Sequence, residues 1–155
     1  MDYSQLIDAV RTLNAEDAFR PRLAPDQWKA LEPYLTRHEI RAGDLLIKQG
    51  DVDRTMYLLG QGSVQVFVSN AAPGAARIAL LRAGSVIGEP SLFGDGLRMA
   101  NVEAVTTCIV WALRVQRCEE LMQRSPALAM QLLRAAGAVM AIRMRANLSR
   151  QIPVV

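Results

Sequence analysis

The stretch EIRAGDLLIKQGDVDRTMYLLGQGSVQVFVSN, residues 39–70, decides the fold class of this chain. It consists of short apolar runs that alternate with turn-forming pairs, a pattern typical of strands joined by tight turns. The clearest run places Val64, Val66 and Val68 on one face of a strand. The turn signals are Gly43-Asp44, Gly50-Asp51 and Gly60-Gln61-Gly62.

Strand-like runs continue beyond this stretch. The sequence NAAPGAA, residues 70–76, predicts a hairpin loop, and RIALLRAG, residues 77–84, predicts the returning strand. NVEAVTT and CIVWALR, residues 101–107 and 108–114, add two more β-rich runs. A total of about eight strands at short spacing predicts a mainly β fold, an antiparallel β-roll of the double-stranded jelly-roll type, rather than a parallel α/β sheet.

Helical patterns flank the predicted roll. Apolar residues at helical spacing predict a first helix over residues 3–14, and RLAPDQWKALEPYL, residues 22–35, predicts a second that Pro33 kinks or ends. QRCEELMQR, residues 116–124, predicts a short third helix. Ser125-Pro126 then resembles a helix start, and the final helix is predicted over about residues 126–151.

The final helix is long enough to project beyond a small domain, and its apolar residues repeat at steps of four and three. Such a seam predicts self-association of the chain as a homodimer. The alternative is a helix that lies flat on its own β-roll. The seam consists of Leu128, Leu132, Ala135, Val139, Ile142, Ala146 and Ser149.

Length and composition limit the class of protein. The 155 residues allow one domain, which we divide into an N-terminal helical extension, 1–18, and a domain proper, 19–155. Hydrophobic residues make up 51% and charged residues 21%, which excludes a disordered chain. The formal charge of +3 is spread along the sequence, so nucleic-acid binding by this chain is not expected.

Signals for secretion, membranes and metals are weak in this sequence. The first ten residues lack a signal-peptide core, and we expect no membrane-spanning stretch of roughly 20 apolar residues. Cys108 and Cys118 form no metal motif or disulfide framework, which favours a cytoplasmic protein. Because His38 is the only histidine, neither a metal centre nor a histidine-based catalytic site is expected, and we predict a protein that is not an enzyme.

The segment GEPSLFGDGLRMANV, residues 88–102, reads as a loop that presents Glu89 and Arg98 nine residues apart. Together with the Gly-Asp pairs of the roll, Tyr57 and Gly62, this ordered set resembles the cyclic nucleotide-binding domain family. The resemblance runs from about Phe19 to about Arg150. It implies a β-roll that binds a 3′,5′-cyclic nucleotide in a cassette formed by this loop, with a regulatory function and no metal.

The resemblance also implies a role for each site residue. Arg98 would bind the cyclic phosphate through its planar fork of donors, and Glu89 would accept from the ribose 2′-hydroxyl. Ser91 would add its N–H and hydroxyl, and base recognition would fall to the final helix. The full predicted site is Gly88, Glu89, Ser91, Arg98, the N–H groups of Met99 and Ala100, and, for the base, Arg143 and Asn147.

Several positions depart from the family pattern. Pro90 and Ser91 follow Glu89 where Leu or Ile and then Ala are common, and Cys118 replaces an aromatic residue near the hinge. Met99 lacks the hydroxyl often found after the arginine, which favours cyclic AMP over cyclic GMP. These departures leave open a degenerate fold that acts as a ligand-free dimerisation or interaction module, in which Glu89 and Arg98 form only a structural ion pair.

The sequence ends soon after the final helix, at SRQIPVV, without room for a helix-turn-helix. We therefore expect either a stand-alone sensor that acts on a protein effector in trans, or the sensor fragment of a longer transcription regulator.

Overall fold

A computed structural model of the chain describes residues 2–69 and 77–149, so the predicted hairpin loop at 70–76 lies outside the described residues. The helices are α1 (Tyr3–Thr12), α2 (Pro25–Leu31), α3 (Val115–Arg124) and α4 (Pro126–Ser149). Two 3-10 helices cover Glu32–Tyr34 and Glu89–Leu92. The strands are β1 (Thr36–Ile40), β2 (Leu45–Ile47), β3 (Thr55–Gln61), β4 (Ser63–Phe67), β5 (Arg77–Arg82), β6 (Val86–Ile87), β7 (Asn101–Ala104) and β8 (Cys108–Arg114).

The eight described strands form two four-stranded sheets, ordered β1-β8-β3-β6 and β2-β7-β4-β5. All strand pairs are antiparallel. The predicted β-roll with flanking helices and a long C-terminal helix is therefore confirmed.

Strands β3 and β8 are buried on both faces, which explains why their sequences are almost continuously apolar. Successive side chains of a strand point to opposite faces. Val110 of β8 packs in the core between the two sheets, whereas Trp111 and Leu113 pack in a second core beneath the helices. The sheet that contains β3 and β8 thus separates the interior of the roll from the helical layer.

Helix α1 packs in this second core beneath the helices, which we call the helical-side core, together with residues from later elements of the chain. A capping box at Asp2 starts the helix, and the hydroxyl of Tyr3 donates a hydrogen bond to the carbonyl of Trp28 at 2.6 Å. Burial raises the pKa of Tyr3, so this hydroxyl remains a donor. The division at residue 18 remains a prediction, although side chains on both sides of it share this core.

The predicted helix boundaries hold to within a few residues, except that the second helix is shorter than expected. It ends at Leu31, and the segment with Pro33 continues as a 3-10 turn. Helix α4 is described as far as Ser149, and the last predicted helical residues lie outside the described part of the chain.

Much of the predicted dimer seam of α4 packs against other parts of the same chain. Leu128, Leu132 and Val139 are 4%, 2% and 1% exposed and pack in the helical-side core. These three positions are therefore not available for a helix pair, and the alternative prediction of a helix lying on its own roll holds for them. A heptad pattern records which face is apolar, not which molecule covers it.

The expectation that no segment could span a membrane is wrong, judged by the length and composition of one helix. Among the described residues, Pro126–Leu148 of α4 is long and apolar enough to cross one. Core packing of its inner face accounts for much of the same apolar composition.

Two glycines give a matched test of this packing. An added Cβ at Gly137 in α4 would meet the ring of Phe93 at 3.8 Å, an ordinary contact. Because alanine favours a helix interior over glycine, we expect Gly137→Ala to raise the free energy of unfolding by about 0.5–1 kcal/mol. Urea denaturation measures this change, and a loss of stability would contradict the described packing of Phe93.

Gly84→Ala should have the opposite effect. Gly84 has a φ of 96°, and an added Cβ would lie 2.3 Å from the carbonyl oxygen of Ala9 in helix α1. We therefore expect a loss of more than about 1 kcal/mol in the same assay. A neutral result would show that α1 does not dock on this turn.

Candidate functional site

The centre of the candidate site is a glycine turn after β6. Gly88 has a left-handed φ of 74° and caps the 3-10 helix Glu89–Leu92. A Cβ at this position would lie 2.6 Å from Nη1 of Arg98 and 3.0 Å from Ile47. Only glycine allows both this backbone conformation and the close approach of the guanidinium.

Arg98 is buried, with 8% of the residue exposed. Its Nη2 donates to the carboxylate of Asp53 at 2.9 Å and to the carbonyl of Thr55 at 2.6 Å, and its Nη1 donates to the carbonyl of Gly88 at 3.2 Å. Asp53 is held by the hydroxyl of Thr55, which donates to its other oxygen at 2.8 Å. The buried charge is therefore neutralised by a carboxylate that is itself 45% exposed.

The guanidinium of Arg98 does not have a hydrogen-bond partner for every donor. Its Nε is buried and has no hydrogen-bond partner. The backbone fixes its position, because the N–H of Arg98 donates to the carbonyl of Asp51 at 2.8 Å and the N–H of Gly50 donates to the carbonyl of Arg98 at 2.9 Å. A fixed, buried guanidinium with an unused donor is suited to donate a hydrogen bond to a further anionic oxygen.

Ser91 faces the same turn as Arg98. Its N–H and hydroxyl both donate to the carbonyl of Gly88, at 3.2 and 2.7 Å. Its own carbonyl accepts from Nε of Arg54 at 3.0 Å. Both groups that the sequence assigned to a phosphate thus hold the turn closed in this structure, and their role toward a ligand remains a prediction.

Glu89 is 3% exposed and pairs with the long helix. Nη1 of Arg143 donates to its carboxylate at 2.9 Å, and Nε of Arg143 donates to Asp17 at 2.8 Å. Burial raises the pKa of Glu89, and the nearby Arg143 guanidinium only partly opposes this rise. The two ion pairs of Arg143 join the 3-10 helix, helix α4 and the segment that follows α1.

The structure brings the two key residues to one turn without pairing them. Arg98 binds the carbonyl of Gly88, the residue that precedes Glu89, while its ion pair is with Asp53. Arg143, which was expected to contact the nucleotide base, contacts Glu89 instead. Its role toward a base, and that of half-buried Asn147, therefore remain predictions.

Two residues follow Arg98 before β7 begins. Met99 is 68% exposed and Ala100 is half-buried. Their backbone contacts with a phosphate remain a prediction.

Sequence reasoning missed both acidic partners. Asp53 lies in the run GDVDRT beside the recognised pair Gly50-Asp51, and only its charge and position in a turn could have signalled it. Asp17 is 126 residues from Arg143 and carries no sequence signal for the contact. Within the described ranges, no three or more metal-ligating side chains lie together.

Comparison with known proteins identifies the family. A family model described as the cyclic nucleotide-binding domain matches residues 37–125. The chain is 31% identical over 107 residues to the cyclic AMP receptor protein of Thermus thermophilus, covering 69% of this chain and 50% of that protein. It is 30% identical over 91 residues to the cAMP-dependent protein kinase regulatory subunit of Blastocladiella emersonii, covering 59% and 23%. The chain thus spans half the length or less of both relatives.

Solved structures agree with this assignment. A cyclic nucleotide-binding domain from Methylobacillus flagellatus superposes with a TM-score of 0.78 at 19% identity, covering 96% of this chain and 81% of that one, which shows the fold alone. The catabolite activator protein of Thermus thermophilus gives 0.71 at 30% identity, covering 86% and 62%.

The raised pKa of Glu89 predicts a pH dependence of stability. Because the folded protein holds this proton more tightly than the unfolded chain does, the stabilisation is fully present below the ordinary value of 4.5 and is lost as the pH rises through the raised pKa. Relative to Glu89→Gln, the free energy of unfolding of the wild type should therefore fall as the pH rises above the ordinary value of 4.5 and through the raised pKa of Glu89. Urea titrations of both proteins measure the difference, and the opposite slope would show that Arg143 outweighs burial.

Proposed function

Because the chain belongs to the cyclic nucleotide-binding domain family, we propose that it is a non-enzymatic regulatory protein that binds a 3′,5′-cyclic nucleotide. The observation that carries this proposal is Arg98, a buried guanidinium with an unpartnered Nε on a glycine turn. Burying a charge with unused donors is costly for a structural ion pair alone, whereas a phosphate would use them.

Each part of the ligand has a partner in this proposal. The cyclic phosphate takes the Nε and Nη groups of Arg98, displacing the half-exposed Asp53 carboxylate into solvent. The ribose 2′-hydroxyl donates to Glu89. The base is contacted from α4 by Arg143 and Asn147. For this contact, the ion pair between Arg143 and Glu89 weakens.

Cyclic AMP is the favoured ligand. Met99 offers no side-chain hydroxyl beside Arg98. Two relatives have names that refer to cyclic AMP, the Thermus thermophilus receptor protein and the Blastocladiella emersonii regulatory subunit. Another, 26% identical, is the cGMP-dependent protein kinase 2 of Mus musculus, so cyclic GMP is the matched alternative ligand.

The signal leaves the site through α4 in this proposal. A nucleotide that engages Glu89 competes with Arg143, which anchors α4 to the cassette. Phe93 of the same loop lies close to Gly137 of that helix, which gives the loop a second point of contact with α4. A ligand shifts this equilibrium only by its different affinity for the two arrangements.

We place the receiving surface on the outer face of α4 and propose a cytoplasmic homodimer, or a protein effector in trans, as the partner. This face carries three large exposed apolar side chains, Met130 at 57%, Met144 at 46% and Leu148 at 57%. It replaces the seam predicted from sequence, whose main residues are buried in the core.

A second candidate function is a ligand-free interaction module. The observation in its favour is that both key charges already have partners, Arg98 with Asp53 and Glu89 with Arg143. In that case the site residues only hold the cassette closed.

Thermal and chemical unfolding separate the two functions. Cyclic AMP at a hundredfold excess over its dissociation constant should raise the free energy of unfolding by about 2.7 kcal/mol, and cyclic GMP at the same concentration by less. Arg98→Ala should abolish the cyclic AMP effect, whereas Arg41→Ala, which removes an exposed arginine from a turn of the roll, should keep it. Absence of an effect with either nucleotide favours the interaction module, and a full effect in Arg98→Ala disproves the site.

Sedimentation equilibrium tests the surface on α4. We expect the wild type to sediment as a dimer and the double variant Met130→Glu/Leu148→Glu as a folded monomer, because burying two carboxylates in the interface is unfavourable. Met122→Glu, at an exposed apolar residue of α3, should leave the dimer intact. A monomeric wild type, or a dimer that survives the double variant, rejects this interface.

A further inference from the structure

A groove separate from the cassette lies between residues 16–22 and helix α4. Its volume is about 640 Å³, within the range of small-molecule sites. None of the residues assigned to the nucleotide lines it. Its walls are largely apolar and are formed by Ala18, Pro21, Ala135, Ala138 and Ile142.

The rim of the groove is cationic. Arg20, Arg22 and Arg134 line it against a single described carboxylate, Glu16. All three arginines are exposed residues. Nη2 of Arg20 donates a hydrogen bond to the carbonyl of Leu13 at 3.3 Å. Guanidinium groups present planar donor pairs that match carboxylate and phosphate oxygens. The rim therefore favours an anion.

The backbone of the groove is set in an uncommon conformation. Arg22 has a φ of 53°, and it is the one non-glycine residue among the described ranges with a positive φ. Such a conformation costs free energy in a residue with a long side chain and persists only where its surroundings fix it. Here it follows the buried Pro21 and keeps the Arg22 side chain at the rim.

The length of the groove limits how large its occupant can be. The lining residues of α4 run from Gln131 to Ile142, a length of about 16 Å at 1.5 Å per residue. An extended peptide of five residues would already reach this length. A short apolar body with one charged head fits both the small-residue walls and the arginine rim.

We propose that this groove is a binding site for a small amphipathic anion, with an oxyanion head at the arginines and an apolar body against Ala135, Ala138 and Ile142. The proposal does not rest on the proposed function, because no residue of the cassette lines the groove.

Calorimetric titration of the full chain, without nucleotide, tests the proposal. Octanoate and monooctyl phosphate serve as probes, and whichever binds more tightly identifies the preferred head. Octan-1-ol, which has no charge, and acetate, which has no apolar body, should each bind at least about tenfold more weakly, since the site requires both parts.

Two variants locate the binding. Arg134→Ala should weaken octanoate binding about tenfold, because it removes one charged hydrogen-bond donor from the rim. Ala138→Phe should abolish it by filling the groove from an exposed position, with the fold checked by circular dichroism. Arg124→Ala, at an exposed arginine of α3, should bind octanoate as the wild type does.

Four binding results would overturn the proposal. They are absence of binding by both probes, equal binding of octan-1-ol, unchanged binding in both groove variants, and tighter binding of a pentaglutamate peptide than of octanoate, which would make the groove a peptide site. If Ala138→Phe alone converts a wild-type dimer to a monomer, a second copy of the chain occupies the groove and the proposal also fails.

Discussion

The structure depends on the neutralisation of two buried charges on one short turn. Glu89 and Arg98 are 3% and 8% exposed, and neither charge is compensated by the other. Breaking such a buried pair leaves an uncompensated charge, which costs several kcal/mol. Asp53, just before β3, and Arg143 of α4 must therefore stay in place for the cassette to keep this conformation.

This requirement connects parts of the chain that are far apart in sequence. Arg143 contacts Glu89 with one nitrogen and Asp17 with another, so one guanidinium holds the cassette and the segment after α1 against the long helix. Anything that binds Glu89 must change this arrangement. The fold thus joins its candidate ligand site to its longest described helix by one side chain.

The sequence predicted the elements of this fold better than their contacts. Glycine turns and alternating valines marked the roll because turns and strand faces are local properties. The position of Arg98 followed from its motif, whereas its partner Asp53 depends on the pairing of two distant segments. The apolar repeat of α4 was recognised from the sequence, but the repeat could not decide between a second molecule and the chain's own roll, since Leu132 and Val139 look the same in either setting.

The two-sided burial of β8 bears on how the molecule opens. This strand is hydrogen-bonded to β1 on one side and β3 on the other, and its side chains fill both cores. Its amides have no local route to solvent, so their hydrogen exchange should occur only through global unfolding. The slowest exchanging amides of β8 would then report the stability of the whole molecule, while those of the cassette report its local opening.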